Sequence, residues 1–182
     1  MKKPKAVKKY LLVDGYNIIF AWEELKALAE VSIDGARDRL MDIMSNYQGY
    51  RNETVILVFD AYRVEGHVEE VLKYHNIYVV YTREAETADQ YIEKTVHEIG
   101  RKYEVTVATS DRLEQIIIRG GGGRLISARE LEEEIEMIRQ EIRQEFLEKR
   151  HSGRNYLFNH VEEDMADELE KIRLGKKGED SL

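Results

Sequence analysis

Residues 11–17 read LLVDGYN, an apolar run that ends abruptly in an aspartate, a glycine and an asparagine. Apolar runs with β-branched residues are typical of buried strands, and Asp, Gly and Asn tolerate the backbone geometry of turns. The stretch therefore predicts a buried strand that stops at Asp14. Alone it says nothing about function, because many strands end in such turns.

Four further apolar runs, at 55–59, 77–81, 105–108 and 125–126, alternate with stretches that have helical spacing. Such alternation predicts an α/β domain with a mainly parallel sheet, since right-handed crossovers place helices on both faces. A long amphipathic helix is predicted after the last run, because Ser127 and Glu130 have the form of a capping box. Gly153 and its polar neighbours predict a break at 151–155, before another charged helix.

Composition limits the classes of protein to consider. The 182 residues are 42% hydrophobic, which suits one domain with appendages. The net charge of -8 argues against a protein held to nucleic acid by bulk positive charge, although local contacts stay open. The absence of cysteine suits a reducing compartment, so a cytoplasmic location is expected. No apolar run is long enough to span a membrane, so no association with a membrane is expected.

Carboxylates stand at the ends of three separate apolar runs, as Asp14, Asp60 and Asp111. The carboxyl ends of parallel strands share one edge of a sheet, where ligands bind. Glu86 and Asp89 enter the helix that follows the third predicted strand, at the same edge. Converging acids repel each other and are neutralised by Mg²⁺ or Mn²⁺, which prefer oxygen ligands. A metal held in this way favours phosphodiester hydrolysis by activated water.

Each acid also has a purely structural interpretation. Asp111 could cap a helix, with Glu114 three residues further on, and Asp89 could lie in the first turn of its helix. Asp14 and Asp60 could be ordinary turn residues. The joint occurrence of these acids at one predicted edge is what favours a metal site.

Residues beside Asp14 and the glycine run bear on the same question. Asn17 could orient a metal-bound water or a phosphate, or it could be a turn asparagine. Gly15 would let the backbone pass close to a substrate. The run Gly120–Gly123 is followed by Arg124 rather than by Gly-Lys-Ser/Thr, so it is not a nucleotide P-loop.

Few residues near the acids are candidates to contact the phosphates or bases of a nucleic acid. Arg112, Arg119 and Arg124 could bind phosphates, because guanidinium groups bind them bidentately, although a surface role is open for each. Tyr16 could stack on an unpaired base, with core packing as the alternative.

The stretches VDGYN, FD, ETAD, ATSD and SARE together resemble the NYN-domain nucleases of the PIN-like superfamily, and the bacterial YacP-like group in particular. The resemblance covers about residues 10 to 150. It implies a five-stranded parallel sheet of order 3-2-1-4-5. It also implies that Asp14, Asp89 and Asp111 bind the metal, that Asp60 and Asn17 support them, and that Glu86 is an open fourth candidate.

The resemblance further implies a Mg²⁺- or Mn²⁺-dependent endoribonuclease that acts on messenger RNA in association with translating ribosomes. A binding module that keeps the acidic pocket but has little turnover is the alternative from another class. DNA cleavage, the number of metal ions and the oligomeric state stay open. The expected organisation is a basic tail at 1–9, a nuclease domain at 10–150, and a helical, partly flexible extension at 151–182.

Overall fold

The computed structural model describes residues 7–60 and 70–158 of the chain. It divides into two units, Met1–Ile138 and Arg139–Leu182. The charged helix predicted after residue 155 falls mostly outside the described residues, as does most of the basic tail. The sheet and every acidic residue of the candidate site lie in the first unit.

The sheet contains six strands in the described part of the chain. They are β1 Lys9–Asp14, β2 Thr54–Phe59, β3 Glu70–Tyr74, β4 Ile77–Tyr81, β5 Glu104–Ala108 and β6 Arg124–Ile126. Their order is β3-β4-β2-β1-β5-β6, and all neighbouring pairs are parallel except the antiparallel pair β3 and β4. The five predicted strands are confirmed in the predicted order.

The prediction of only five strands was wrong, because it missed the edge strand β3. Its sequence, EVLKY, places two apolar residues side by side instead of alternating them with polar ones. None of its five side chains is buried, because the strand lies at the edge of the sheet. Neither the hydrophobic run nor the alternation that marks a strand is therefore present.

Helices cover both faces of the sheet. They are α1 Gly15–Ala21, α2 Glu23–Val31, α3 Ile33–Arg51, α4 Ala88–Ile99, α5 Arg112–Gly120 and α6 Ala128–Phe158. Successive strand residues point to opposite faces, so Leu11 and Val13 pack in the core with α1–α3 and the start of α6. Leu12 and Val58 pack on the other face against α4 and α5.

Helix α6 begins with the predicted capping box. The Ser127 hydroxyl accepts from the Glu130 N–H at 3.2 Å, and the Glu130 carboxylate accepts from the Ser127 N–H at 2.8 Å. The helix continues through residues 151–155, so the predicted break there is wrong. A single glycine costs a helix only about 1 kcal/mol and does not force it to end. In none of the described helices are length and apolar character sufficient for a membrane crossing.

Trp22 ties the joint between α1 and α2 to the start of α6. Its buried indole Nε1–H donates to the Ala128 carbonyl oxygen at 2.7 Å, across 106 positions of sequence. This bond satisfies the one polar atom of a side chain that otherwise packs in the core. The beginning of α6 is therefore fixed against the core that contains Leu11 and Val13.

Candidate active site

The candidate site lies where the sheet changes direction, between β1 and β5. The chain adds β2 on one side of β1 and, after β4, crosses to add β5 on the other side. Val13 is paired with Ala108, so both strands reach the same edge together. Such a switch point is the usual ligand position in an open α/β sheet.

A pocket of about 440 Å³ opens at this edge. Four aspartates line it, and the remaining lining residues are polar or aromatic except for one alanine. The lining consists of Asp14, Asp60, Asp89, Asp111, Asn17, Ser110, Tyr16, Phe20 and Ala21. The structure therefore brings together all four of the aspartates that the sequence singled out.

Among the described residues, Asp14, Asp89 and Glu114 form a compact group of carboxylates. Each offers an oxygen that lies within 4.8 Å of the oxygens of the other two. Glu114 was not among the predicted ligands, because its place three residues after Asp111 was interpreted as part of a helix cap. The same spacing puts Glu114 in the first turn of α5, at the edge of the sheet where the aspartates meet.

Glu114 is buried without a hydrogen-bond donor. Its side chain belongs to a residue only 4% exposed, and neither carboxylate oxygen has a hydrogen-bond partner among the described residues. Burial raises the pKa of Glu114 to about 8; the Thr109 hydroxyl opposes this shift, and the charges of Asp14 and Asp89 add to it. Thr109 makes no hydrogen bond of normal geometry to either oxygen. A bound cation would satisfy such a group.

The pKa values of Asp14 and Asp89 are also raised. Burial raises the pKa of Asp14 to about 7, and the negative charges of Asp89 and Asp60 contribute, although the Asn17 backbone N–H donates to Asp14 Oδ1 at 3.1 Å and opposes the rise. Burial and the charge of Asp111 also raise the pKa of Asp89. These carboxylates cannot all be ionised at neutral pH without a positive partner.

Asp60 and Asp111 have definite structural partners. Asp60 Oδ1 accepts a hydrogen bond from the Ala88 backbone N–H, at the start of α4. Asp111 Oδ1 accepts from the Glu114 N–H at 3.4 Å, in the first turn of α5. Each aspartate thus anchors the helix that carries another acid of the cluster, Asp89 in one case and Glu114 in the other.

Asn17 links two ends of strands. Its side-chain oxygen accepts from the Ser110 backbone N–H at 2.7 Å, and the Ser110 hydroxyl accepts from the Ala128 N–H at 3.1 Å. The Thr109 hydroxyl accepts from the Asp111 N–H at 3.1 Å. The loop after β5 is therefore bonded to Asn17 and to the start of α6, and it contains one internal bond. The amide oxygen of Asn17 is engaged in the first of these contacts.

Gly15 and Tyr16 serve packing more than substrate contact. A Cβ atom at Gly15 would overlap Cε1 of Phe59 and lie 2.5 Å from its Cδ1, so the ring of Phe59, rather than a substrate, requires the glycine. Tyr16 is only 5% exposed, and its hydroxyl accepts from the buried Arg37 guanidinium at 2.8 Å. Little of its ring remains available to a base.

The remaining predicted residues do not join the cluster. Glu86 lines a separate cavity with Arg83 and Lys94. Arg119 stands in the last turn of α5, at the end of the helix away from Glu114. Arg124 opens β6 at the opposite edge of the sheet, where it forms an ion pair with Glu104 at 2.8 Å.

Arg112 is exposed and follows Asp111 directly, so it is the predicted arginine that stands at the acidic edge. The candidate phosphate contacts predicted from sequence thus reduce to one at this edge.

Comparisons with known proteins identify the family of the chain. The family model described as the YacP-like NYN domain matches residues 11–174. The chain is 46% identical over 133 residues to the Bacillus subtilis (strain 168) protein named "Uncharacterized protein YacP", which covers 72% of this chain and 78% of that protein.

Two solved structures of a YacP protein are similar to this chain in fold and sequence. The crystal structure of Rae1 (YacP) from Bacillus subtilis matches with a TM-score of 0.67 and 39% identity, over 95% of this chain and 99% of that one. The structure of a tryptophan-to-leucine mutant of the same Bacillus subtilis protein matches with a TM-score of 0.66 and 42% identity, over 75% and 80% of the two chains. The chain belongs to the YacP-like NYN domain family.

Proposed function

We propose that this protein is a Mg²⁺- or Mn²⁺-dependent endoribonuclease that hydrolyses phosphodiester bonds of single-stranded RNA. Its family implies a nuclease-type function related to RNA. The observation that carries the proposal is the meeting of Asp14, Asp89 and Glu114 within 4.8 Å, with both oxygens of Glu114 buried and unpartnered in the described part of the chain.

The donor set suits a hard divalent cation. Mg²⁺ and Mn²⁺ prefer carboxylate oxygens, and the described cluster offers neither thiolate nor imidazole. Asp14, Asp89 and Glu114 would hold the ion, with Asp111 on the wall of the same pocket. When bound, such an ion polarises a phosphoryl oxygen and lowers the pKa of a water molecule.

Other residues of the chain keep these carboxylates in position. Asp60 fixes the start of α4, and with it Asp89, while Asn17 fixes the loop that leads from β5 to Asp111. Carboxylates held by strand ends and helix starts need little rearrangement when they bind a cation, which is what a catalytic site requires.

The substrate must approach an acidic pocket. Phosphates are repelled there unless a cation reverses the local field, so metal and RNA are expected to bind with positive cooperativity. Exposed Arg112 is a candidate to contact a phosphate beside the pocket. The net charge of -8 gives little general attraction for RNA, which favours messenger RNA presented by a translating ribosome, as the family resemblance implies.

The test is cleavage of end-labelled single-stranded RNA by purified protein with Mg²⁺, with Mn²⁺ and with EDTA. Asp14→Asn, Asp89→Asn and Glu114→Gln should each lower the rate at least 100-fold, and EDTA should abolish cleavage. The matched control is Glu93→Gln, which removes an exposed carboxylate from α4, one turn after Asp89. It should cleave like the unmodified protein.

Equal cleavage by all variants, or cleavage that survives EDTA, would rule out the metal mechanism. The experiment is repeated with translating ribosomes. Metal-dependent cleavage that appears only with ribosomes supports presentation by that partner. If the protein binds RNA but shows no metal-dependent cleavage, with or without ribosomes, the alternative function of an RNA-binding module is correct.

A further inference from the structure

Four aromatic rings form a row from the core to the wall of the acidic pocket. The rings of Tyr81 and Phe59 are stacked with centroids 5.8 Å apart, and Phe59 meets Tyr16 edge-on at 5.1 Å. Tyr16 is stacked with Phe20 at 6.4 Å, with 25° between the ring planes. We call these four residues, Tyr81–Phe59–Tyr16–Phe20, the aromatic row.

Phe20 differs from the other members of the row in its exposure. It is 43% exposed, whereas Tyr81, Phe59 and Tyr16 are buried, and it lines the pocket beside Asp14. A single exposed aromatic side chain is ordinary on a protein surface, but this ring lies on the wall of an acidic pocket, where a flat ligand could stack on it. The position of Phe20 therefore points to a ligand with an apolar face.

The backing of Phe20 is rigid. The Tyr16 hydroxyl accepts a hydrogen bond from buried Arg37, and the Tyr16 ring rests on Phe59. Phe59 in turn occupies the space that a side chain at position 15 would need. An aromatic surface held in this way loses little conformational entropy when it binds a flat partner.

The pocket offers little else to hold a nucleotide. No lysine or arginine is found among the described residues that line it, and four of those residues are aspartates. Stacking of a base on an aromatic ring needs no charge and contributes for every base, because each has a π-face. Stacking on Phe20 would therefore add affinity for RNA without opposing the charge of the pocket.

We propose that Phe20 is a base-stacking residue that holds a nucleobase of single-stranded RNA beside the phosphate to be cleaved. The inference rests on the proposed function and adds a substrate-positioning residue to it. The base must be unpaired, because bases in a duplex are already stacked on their neighbours. Phe20 therefore selects single strands.

Binding is measured in the Asp14→Asn background, so that the RNA stays intact, with a fluorescent single-stranded oligoribonucleotide and Mg²⁺. Phe20→Ala and Phe20→Leu should weaken binding about 5- to 100-fold, the range expected for one base stacked on an aromatic side chain. Phe20→Trp should bind at least as tightly as the parent. Tyr50→Ala is the matched control, since Tyr50 is 44% exposed near the end of α3 and does not line the pocket.

A set of oligoribonucleotides with one abasic position in each separates stacking from simple loss of folding. At one position the missing base should weaken binding to the parent, and it should have no further effect on Phe20→Ala. In otherwise unmodified protein, Phe20→Ala should raise KM much more than it lowers kcat. Circular dichroism and thermal unfolding show whether each variant is folded.

If every abasic substitution weakens Phe20→Ala and its parent equally, the inference about Phe20 is overturned, and metal-dependent cleavage by Phe20→Ala shows that the proposed function stands. Retention of tight binding by Phe20→Leu overturns it in the same way. If the unmodified protein neither binds nor cleaves single-stranded RNA, the proposed function and the inference fall together.

Discussion

The side-chain oxygen of Asn17 accepts a hydrogen bond from the backbone N–H of Ser110, 93 residues later in the chain, at 2.7 Å. This one contact joins the first turn of α1 to the loop after β5. Asp14 lies three residues before Asn17, and Asp111 directly follows Ser110. The bond therefore sets the spacing of these two acids of the pocket.

Asn17→Ala should lower the free energy of unfolding by about 1 kcal/mol, the usual contribution of one hydrogen bond. It should also lower the cleavage rate, because the two strand ends are no longer joined. Asn17→Asp keeps an acceptor for the Ser110 N–H but adds a charge to a pocket with four aspartates. It should retain more stability than Asn17→Ala at low pH. Urea unfolding and cleavage assays measure both effects; an Asn17→Ala protein with unchanged stability and rate would contradict the assignment.

Asp60 should act as a helix anchor rather than as an indispensable ligand. Asp60→Ala removes the acceptor for the Ala88 N–H and should cost about 1 kcal/mol, with a lower rate because α4 carries Asp89. Asp60→Asn keeps an acceptor in the same place and should preserve most of the activity. Cleavage rates and urea unfolding of the two variants decide the point. An Asp60→Asn protein as inactive as Asp14→Asn would make Asp60 a ligand instead.

Gly15→Ala should destabilise the protein by about 1–3 kcal/mol, the range for overpacking of a core, because the new Cβ would overlap the Phe59 ring. Phe59→Leu removes the clashing ring atoms and should restore part of the loss in the double variant. A double-mutant cycle in urea measures this coupling. Additive effects of the two substitutions would show that Gly15 is required for another reason.

Without divalent cations, the free energy of unfolding should fall as the pH rises from about 4 to about 8. Burial raises the pKa of Asp14 from 3.8 to about 7 and that of Glu114 from 4.5 to about 8, so the folded state binds more protons than the unfolded state across this window. The cost is absent below the unfolded pKa values and complete above the folded ones. Mg²⁺ should therefore raise the Tm more at pH 8 than at pH 5.

Thermal unfolding in EDTA and in Mg²⁺ at several pH values provides the measurement. Glu114→Gln should flatten the dependence of Tm on pH in EDTA, whereas Glu93→Gln should not. A Tm that rises between pH 5 and pH 8 in EDTA would mean that these carboxylates are ionised in the folded state without a cation.

The strands that build the centre of the sheet were predictable because they contain continuous apolar runs, as in residues 55–59 and 77–81. Such runs are typical of strands buried on both faces. The same rule failed for β3, which lies at an edge and buries none of its side chains. The continuation of α6 through Gly153 was also missed, because one glycine is a weak signal within a long helix.

Asp14, Asp60 and Asp111 were predictable because each follows an apolar run, and the geometry of a parallel sheet brings such positions together. Asp89 was predictable because it lies at the start of the helix that follows the third predicted strand, at the same edge. Glu114 was not, since an acid three residues after a helix cap has a common structural explanation that sequence cannot distinguish from a ligand. Only burial without a donor separates the two interpretations. Arg119 and Arg124 lie away from the acidic edge, because nearness in sequence to the glycine run does not determine which edge of the sheet a residue occupies.

Trp22 is the single tryptophan of the chain, and it is buried with its indole bonded to the first residue of α6. The fluorescence of Trp22 therefore reports on the contact between the α1–α2 junction and the start of α6. Release of the helix from that junction would expose the indole to water and shift its emission to longer wavelength, whereas loosening of the distant edge strand would leave the spectrum unchanged.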